Sequence, residues 1–299
     1  MHWSAFRHYR GRLAERFDII IDEVNTIPFF TPLWADVPAV MLIHQLAREV
    51  WWYESAFPLN VLGYLTEPLY LRAYRRIPVL TVSASTESDL RRLGFKGTIS
   101  ILSEGLEPIA KMQVVKSAEP TFLYVGRLAP SKRLEHIIRA FAGFRKANGT
   151  GTLRLVGSGS QSYQESLVRL AVRLGVQDQV SFLGRLTLRD KHRAMAEAHS
   201  VLMTSVREGW GLVITEASAC GTPAIVYNVP GLRDAVRHDV TGLVVPPNPQ
   251  SLRDAMTRLV SDRGLYARLA AEGRRWSATF SFDDAVQLVS ETLEGRLAA

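Results

Sequence analysis

The sequence is nearly without cysteine: Cys220 is the single thiol among 299 residues. One thiol excludes an internal disulfide framework and a multi-cysteine zinc site, and it fits a reducing compartment. Long apolar runs are missing too. Pro, Arg or Glu interrupts each apolar stretch well before the roughly 20 residues that a membrane-spanning helix needs. The first ten residues, Met1 to Arg10, hold no apolar core of the kind a secretory signal carries. Several catalytic signatures are absent: no Gly-x-Ser-x-Gly elbow, no Gly-x-x-x-x-Gly-Lys-Ser/Thr loop, no His-Glu-x-x-His, and no Gly-x-Gly-x-x-Gly after the first expected strand. There is no internal repeat and no low-complexity segment.

What is present is globular in kind. Hydrophobic residues make up 47% and charged residues 22%, which excludes disorder for the bulk of the chain. The length is a soft prior of about two domains. Lys and Arg outnumber Asp and Glu by 36 to 29, a formal charge of +7. A basic surplus suits phosphate-rich ligands, anionic membranes or nucleic acid, and equally a solvated basic surface.

Short β-branched runs alternate with amphipathic stretches, the pattern of parallel sheets covered by helices. In the second half, strands are expected at 122–126, 153–157, 180–184, 201–205, 224–227 and 242–245. The helix expected at 134–146 carries Leu134, Ile137, Ile138, Phe141 and Phe144 on one stripe. Further helices are expected at 163–174, 190–198 and 252–260, the last capped by Ser251. In the first half, strands are expected at 17–24, 39–44, 79–83 and 98–102. A helix is expected over 60–76, and a short one over 87–93, capped by Thr86 and stopped by Gly94. Residues 107–120 lack either period and hold Pro108 and Pro120, which reads as a linker.

Four stretches carry candidate chemistry. Arg207-Glu208-Gly209-Trp210-Gly211-Leu212-Val213-Ile214-Thr215-Glu216 follows a strand and opens a helix. Its glycines bare the backbone at a helix N-terminus, where N–H groups favour anions. Glu208 and Glu216 stand eight apart, too far for one shared proton and suited to the hydroxyls at two ends of one ligand. A glycine turn with two solvated acids is the plainer alternative. Gly126-Arg127-Leu128-Ala129-Pro130-Ser131-Lys132-Arg133 sets cations at another strand end. Arg127 and Lys132 could neutralise a diphosphate without a metal, or be exposed loop charges. Gly157-Ser158-Gly159 is a weak signal, as is the strand end at Ser181 to Leu186. His44 ends an expected strand, where it is either structural or within reach of a ligand. Trp51, Trp52, Tyr53 and Arg48, with Tyr70, Arg72, Tyr74, Arg75 and Arg76, suit an interfacial membrane contact or a domain core with snorkelling arginines.

Taken together, these residues resemble the retaining glycosyltransferases of family 4 (glycosyl transferase group 1). The likeness rests on Val125-Gly126-Arg127-Leu128 with Lys132, on Glu208-Gly209-Trp210-Gly211-Leu212 with Glu216-Ala217, and on Ala219-Cys220-Gly221-Thr222-Pro223. Gly231-Leu232-Arg233-Asp234 and Thr241-Gly242-Leu243-Val244-Val245 fit the same pattern. The likeness spans the second half almost end to end, and the first half more weakly from Asp18 onward.

The resemblance implies an α/β GT-B fold: two doubly wound Rossmann-like domains facing across a cleft, the N-terminal one incomplete. It implies an acceptor-side domain at 1–110, a linker at 111–120, a nucleotide-sugar domain at 121–280, and a C-terminal helix at 281–299 returning to the first domain. It further implies transfer of a sugar from a UDP- or GDP-linked donor to a glycan, lipid or small-molecule acceptor, with retention and without a metal. A non-catalytic nucleotide-sugar-binding remnant is the alternative. Arg127 and Lys132 would hold the diphosphate, Glu208 the sugar hydroxyls and Glu216 the ribose. Gly126 and the backbone from Gly209 through Trp210, Gly211 and Leu212 to Val213 would line the donor, with Leu186 near the base and His44 at the sugar. Ser103-Glu104-Gly105 replaces an Asn-Gly found in many relatives. No nucleic-acid partner is implied. The expected location is cytoplasmic, in peripheral contact with the inner membrane face. The family begins with a strand, glycine-rich loop and helix that find no counterpart here, so a βαβ unit of about 30 residues is expected to be missing.

Overall fold

A computed structural model describes residues 6–9, 17–107, 109 and 114–298. The chain divides into two compact units, Met1–Gly105 with Ser281–Ala299, and Leu106–Phe280. Residues 111–113 of the expected linker lie outside the described residues.

The larger unit is built on six parallel strands: β5 (Thr121–Val125), β6 (Thr152–Val156), β7 (Val180–Gly184), β8 (Ser200–Met203), β9 (Ala224–Tyr227) and β10 (Gly242–Val245). Their order is β10-β9-β8-β5-β6-β7. Every residue of β5, β8 and β9 is buried. Helices cover both faces of such a sheet, so its central strands are apolar throughout rather than alternating.

The predicted stripe of α3 (Leu134–Asn148) holds: Leu134, Ile137, Ile138, Phe141 and Phe144 are all buried. Each such side chain contributes roughly 1.5–3 kcal/mol on burial. Phe122 meets the ring of Phe144 edge-on at 4.9 Å. Helices α4 (Gln161–Arg173), α5 (Leu188–Glu197), α6 (Leu212–Ala219) and α7 (Pro249–Ser261) follow. Ser251 does not cap α7. The side chain of Asn248 accepts the Ser251 N–H at 2.9 Å, so the helix starts earlier, with Pro249 in its first turn, where the missing N–H costs nothing. Helix α8 (Arg263–Ser277) was not foreseen. Its buried face is only Leu265, Leu269, Gly273 and Ser277, and five of its residues are charged, which blurs the apolar period. Gly273 faces α6, where a Cβ would come into contact with Ser218, 3.4 Å from its Cβ.

The smaller unit has a parallel sheet in the order β1-β2-β3-β4. The strands β1 (Ile20–Glu23), β2 (Ala39–Leu42), β3 (Val79–Thr81) and β4 (Ile99–Ile101) are shorter than the sequence suggested. Asp22 is buried in β1, where its carboxylate accepts the Thr31 N–H at 3.3 Å, the Thr31 hydroxyl at 2.8 Å and the Tyr74 hydroxyl. Helix α1 (Leu59–Tyr70) and a 3-10 turn (Leu71–Tyr74) fill the region expected to be helical. In α2 (Ala84–Arg92) Ser83 is the cap, not Thr86: its hydroxyl accepts the Thr86 N–H at 3.3 Å. Thr86 instead donates its hydroxyl to the carbonyl of His44 at 3.0 Å. Helix α9 (Phe282–Leu297) belongs to this unit. Among the described residues, no helix is long and apolar enough to cross a membrane.

Lys116 anchors the chain leading into β5. Its ammonium donates to the Ala198 carbonyl at 2.6 Å and the Thr222 hydroxyl at 2.7 Å. Burial, helped by the nearby charge of Arg274, lowers its pKa from 10.5 to about 8. Between those two values the unfolded chain binds a proton that the folded one has released, so this group adds stability as pH rises through that window. The stability slope between pH 8 and 10 is expected to fall in Lys116→Met, by at most about 1.4 kcal/mol per pH unit. Urea unfolding of both proteins across that range measures it.

The backbone makes a second prediction. A Cβ on Gly157 (φ +132°) would lie 1.8 Å from the carbonyl oxygen of Gly126, whereas one on Gly175 (φ +68°) would meet nothing within 4 Å. Gly175→Ala is expected to cost about 1–2 kcal/mol, the left-handed backbone alone. Gly157→Ala should exceed it by several-fold in the same denaturation assay, because a backbone carbonyl has to move.

Candidate functional site

Renumbered from its own first strand, the six-stranded sheet runs 3-2-1-4-5-6. The chain leaves β5 toward one edge and β8 toward the other, so β5 and β8 flank the switch point. Ligands of such sheets bind outside the carboxyl ends of the strands at that place. The two loops there are the stretches the sequence singled out.

The first loop runs from Gly126 to Arg133. Gly126 takes φ +154°, and the Tyr124 hydroxyl donates to the Arg127 carbonyl at 2.7 Å. Burial raises the Tyr124 pKa, with the charge of Glu208 adding to it, so the phenol stays a donor. The loop lies on Gly157-Ser158-Gly159. The Gly126 N–H donates to the Val156 carbonyl at 3.0 Å and the Leu128 N–H to the Ser158 carbonyl at 2.9 Å. A Cβ on Gly159 would lie 1.8 Å from the Leu128 carbonyl oxygen. The weak Gly-Ser-Gly signal is therefore a packing requirement under the loop that carries Arg127.

The second loop runs from Thr204 to Gly211 and is tied to the first. The Thr204 hydroxyl donates to the carbonyls of Lys132 at 2.7 Å and Arg133 at 3.2 Å. The Val206 N–H donates to the Ser131 carbonyl at 2.9 Å. Arg133 sits at φ 52°, a left-handed conformation at the start of α3 that costs a non-glycine residue about 1–2 kcal/mol. The bonds from Thr204 hold it there.

Across this junction Lys132 Nζ donates to Glu208 Oε1 at 2.5 Å, with both side chains only 15% exposed. The Ser205 hydroxyl donates to the same oxygen at 2.6 Å. Glu208 is backed by a third loop: its N–H donates to the Pro230 carbonyl at 3.1 Å. A Cβ on Gly231 (φ +81°) would lie 2.0 Å from the Glu208 carbonyl oxygen. The Gly231 N–H in turn donates to Asp234 Oδ2 at 2.8 Å.

Gly209, Trp210 and Gly211 lead into α6, which begins after Gly211 at φ 99° with no side-chain cap. The first N–H groups of a helix have no partner within it, so Leu212 and Val213 open the helix with donors available to an anion. The Trp210 ring turns to Phe280, 5.3 Å between centroids. Its indole N–H is buried with no acceptor among the described residues. Glu216 lies over a turn further along and is held by Lys191 of α5, Nζ to Oε1 at 2.7 Å. Leu186 is partly buried against the core of this unit. Beside it, Arg185 Nε donates to the Ser158 hydroxyl at 2.9 Å.

The structure thus brings Lys132 and Glu208 into contact and sets Gly126 and Arg127 on the same loop as Lys132. Glu216 is held on a separate element, without a bond to Glu208. His44 belongs to the smaller unit. It is half-buried after β2, and its charge opposes the burial that lifts the Glu104 carboxyl above the usual range. Sequence reasoning missed Thr204, Ser205 and Lys191. The first two read as ordinary strand-end residues. Lys191 stands 25 residues from Glu216 on a helix of its own, and no local spacing couples them. The aromatic-basic stretch of the first half divides: Tyr74 is fully buried, while Trp52 is 46% exposed.

Chemically, the junction offers cations, a helix start and two carboxylates with one oxygen each engaged, a set that can take phosphate and hydroxyl groups of one extended ligand.

Residues 107–276 match the model of a family described as glycosyl transferases group 1. The chain is 31% identical to a GDP-mannose-dependent alpha-(1-6)-phosphatidylinositol monomannoside mannosyltransferase of Mycobacterium tuberculosis, over 88% of this chain and 80% of that protein. It spans less of other curated relatives: 54% of an uncharacterized glycosyltransferase of Methanocaldococcus jannaschii and 41% of a D-inositol 3-phosphate glycosyltransferase of Salinispora arenicola. Their identities are 30% over 65% of this chain and 36% over 59% of it. Among solved structures, sucrose-phosphate synthase of Thermosynechococcus elongatus superposes with a TM-score of 0.80 at 24% identity, over 99% of this chain and 77% of the other. The fold is accordingly that of the GT-B glycosyltransferases. Anabaena HepE, solved in complex with UDP-glucose, gives 0.78 at 22% identity, over 98% and 82%. By the family match over its larger unit and the identity that runs through both, the chain belongs to the glycosyl transferases group 1 family.

Proposed function

We propose that this protein is a retaining glycosyltransferase of family 4 that moves a sugar from a UDP- or GDP-linked donor to a glycan, lipid or small-molecule acceptor without a metal. The observation that carries the reading is the junction of Lys132 and Glu208 beside Arg127 at the switch point of the larger unit.

The diphosphate lies against Arg127 and Lys132. An ammonium has three donors, so the bond from Lys132 to Glu208 leaves two for phosphate oxygens. The backbone N–H groups of Leu212 and Val213 add the field of a helix start, and Gly209 and Gly211 keep side chains out of the way. Glu208 Oε1 takes Lys132 and Ser205, so Oε2 accepts from a donor-sugar hydroxyl. Glu216 Oε1 takes Lys191, so Oε2 accepts from the ribose. Leu186 offers an apolar contact near the base.

The bond between the anomeric carbon and the diphosphate oxygen breaks with its electron pair leaving on oxygen. Arg127 and Lys132 stabilise that charge. The acceptor oxygen forms the new bond on the same face, and its proton passes to the departing phosphate. No separate general base takes part.

A panel of UDP-, GDP- and ADP-sugars, each with and without EDTA, tests donor and metal together by thermal shift. A donor at about 100 times its Kd stabilises the native state by roughly 2.7 kcal/mol. One base is expected to stand out, with a shift that survives EDTA. A cooperatively melting protein that responds to none of them would sink the reading.

Substitution tests the roles. Arg127→Ala is expected to lower kcat/KM by about 100-fold, some 2.7 kcal/mol, and Lys132→Ala by at least as much, since it also leaves Glu208 without its cation. Full turnover by Arg127→Ala removes its assigned role. Glu216→Gln should weaken donor binding about tenfold, as the loss of a charge-assisted hydrogen bond does. That loss should vanish when the donor lacks its ribose hydroxyls, a double-mutant comparison read by calorimetry.

A further inference from the structure

The smaller unit holds a groove of about 480 Å³ between its sheet and α9. Pro78 and Thr98 line it, and they stand just before β3 and β4. The groove therefore sits at the amino ends of these strands, whereas parallel sheets ordinarily take their ligands outside the carboxyl ends. Its volume falls in the range of small-molecule sites, about 300–1,000 Å³.

Two residues of α9 have no explanation inside the fold. The first is Arg296, which lines the groove with its Nε buried and without an acceptor among the described residues. A buried donor left unpaired carries a desolvation cost that an arriving anion removes. The second is Gly295, also in the lining. Glycine in a helix costs stability relative to alanine, so it calls for a close neighbour. Gly97 on the opposite wall has one: a Cβ there would lie 2.8 Å from the Ile77 carbonyl oxygen. A Cβ on Gly295 would meet nothing within 4 Å. No neighbour within the fold requires this glycine, and its effect is to keep the floor of the groove clear.

Charge sets the kind of occupant. Arg76 stands exposed in the lining. Neither it nor Arg296 forms an ion pair among the described residues, whereas Arg91 and Arg92 of α2 pair with Glu87 at 3.6 Å and Asp89 at 3.1 Å. Arg75 and Lys96, next in the chain to Arg76 and Gly97, add two cations to this end of the sheet and are joined by the Lys96 N–H to the Arg75 carbonyl at 3.2 Å. The lining has one carboxylate, Glu291, whose Oε1 accepts from Gln287 at 2.9 Å.

We propose that this groove binds a small, soluble phosphorylated polyol. A guanidinium is a planar fork that matches phosphate oxygens, and Arg76 and Arg296 supply two. The second oxygen of Glu291 and the hydroxyls of Thr98 and Ser100 meet the alcohol groups of the same molecule. A bare anion leaves those three unused, and an uncharged polyol leaves the arginines unused. The inference stands independently of the donor chemistry, because every residue in it belongs to the smaller unit.

Isothermal titration calorimetry on the whole chain tests it, with glycerol 3-phosphate, ribose 5-phosphate and glucose 6-phosphate set against glucose and inorganic phosphate. At least one of the three phosphorylated polyols is expected to bind at a single site, about tenfold or more tighter than inorganic phosphate, with no heat from glucose. Arg296→Gln should weaken that binding by about tenfold or more, as the loss of a charge-assisted hydrogen bond does. Gly295→Leu should weaken it as much by filling the groove, with circular dichroism and Tm at or above those of the parent, since nothing stands in the way of its Cβ. Arg127→Ala, whose lost charge belongs to the larger unit, should leave the Kd unchanged. Failure of all three phosphorylated polyols to bind the folded parent overturns the proposal. So does inorganic phosphate that binds as tightly as they do. Binding that Arg296→Gln and Gly295→Leu both leave unchanged overturns it as well, and its loss in Arg127→Ala would assign the phosphate to the donor loop instead.

Discussion

The joint between the loops after β5 and β8 is what the geometry of the larger unit's candidate site depends on. Thr204 bonds to the carbonyls of Lys132 and Arg133, and Val206 to that of Ser131. Those bonds make two chain segments, some 70 residues apart, behave as one rigid edge. Only then can Lys132 and Glu208 meet at 2.5 Å with both side chains largely shielded. In bulk water such a pair is worth little. Here its value is positional, since each charge arrives at the switch point already oriented, and neither has to be ordered by a ligand.

The glycines around that joint do separate jobs. Gly157 and Gly159 let the β6 loop lie directly against the backbone of Gly126 and Leu128, and Gly231 does the same against Glu208. Gly211 takes a left-handed turn that starts α6 without a side-chain cap. Four loops are thereby laid backbone to backbone in two pairs at the carboxyl edge of one sheet, which is how a parallel sheet turns its strand ends into a candidate site. The carboxylates follow a shared logic: Glu208 and Glu216 each have one oxygen taken by a lysine, from the same loop system in one case and from α5 in the other.

The smaller unit shows the same economy with different residues. Buried carboxylates organise it: Asp22 gathers Thr31 and Tyr74, and Glu67 closes the turn at Ala47 and Arg48. Because Glu67 and Gly63 claim the inner side of α1, its leucines Leu59, Leu62, Leu65 and Leu69 are left outside. A helix read from its hydrophobic residues alone would have been oriented the other way round.

The sequence by itself determined the class of fold and singled out the candidate loops. Continuous apolar runs at 122–125, 201–203 and 224–227 read as strands covered on both faces, and the stripe from Leu134 to Phe144 as a helix packed on them, and the structure has both. The glycine-rich stretches at strand ends marked the candidate loops because strand-to-helix turns with bare backbone are legible locally. What local pattern could not carry was decided by the tertiary structure. The caps at Ser83 and Asn248 depended on where a side chain reached three residues ahead, against equally good candidates at Thr86 and Ser251. Helix α8 was hidden by its charges until Gly273 met Ser218. Gly157-Ser158-Gly159 read as a bare turn until Gly126 was laid on it. Lys191 and Ser205 became partners of Glu216 and Glu208 only through contacts between elements. The side of α1 that faces the protein was settled by a buried glutamate and a glycine. Hydrogen bonds to buried carboxylates are directional and specific, and the apolar period that a sequence displays carries no record of them.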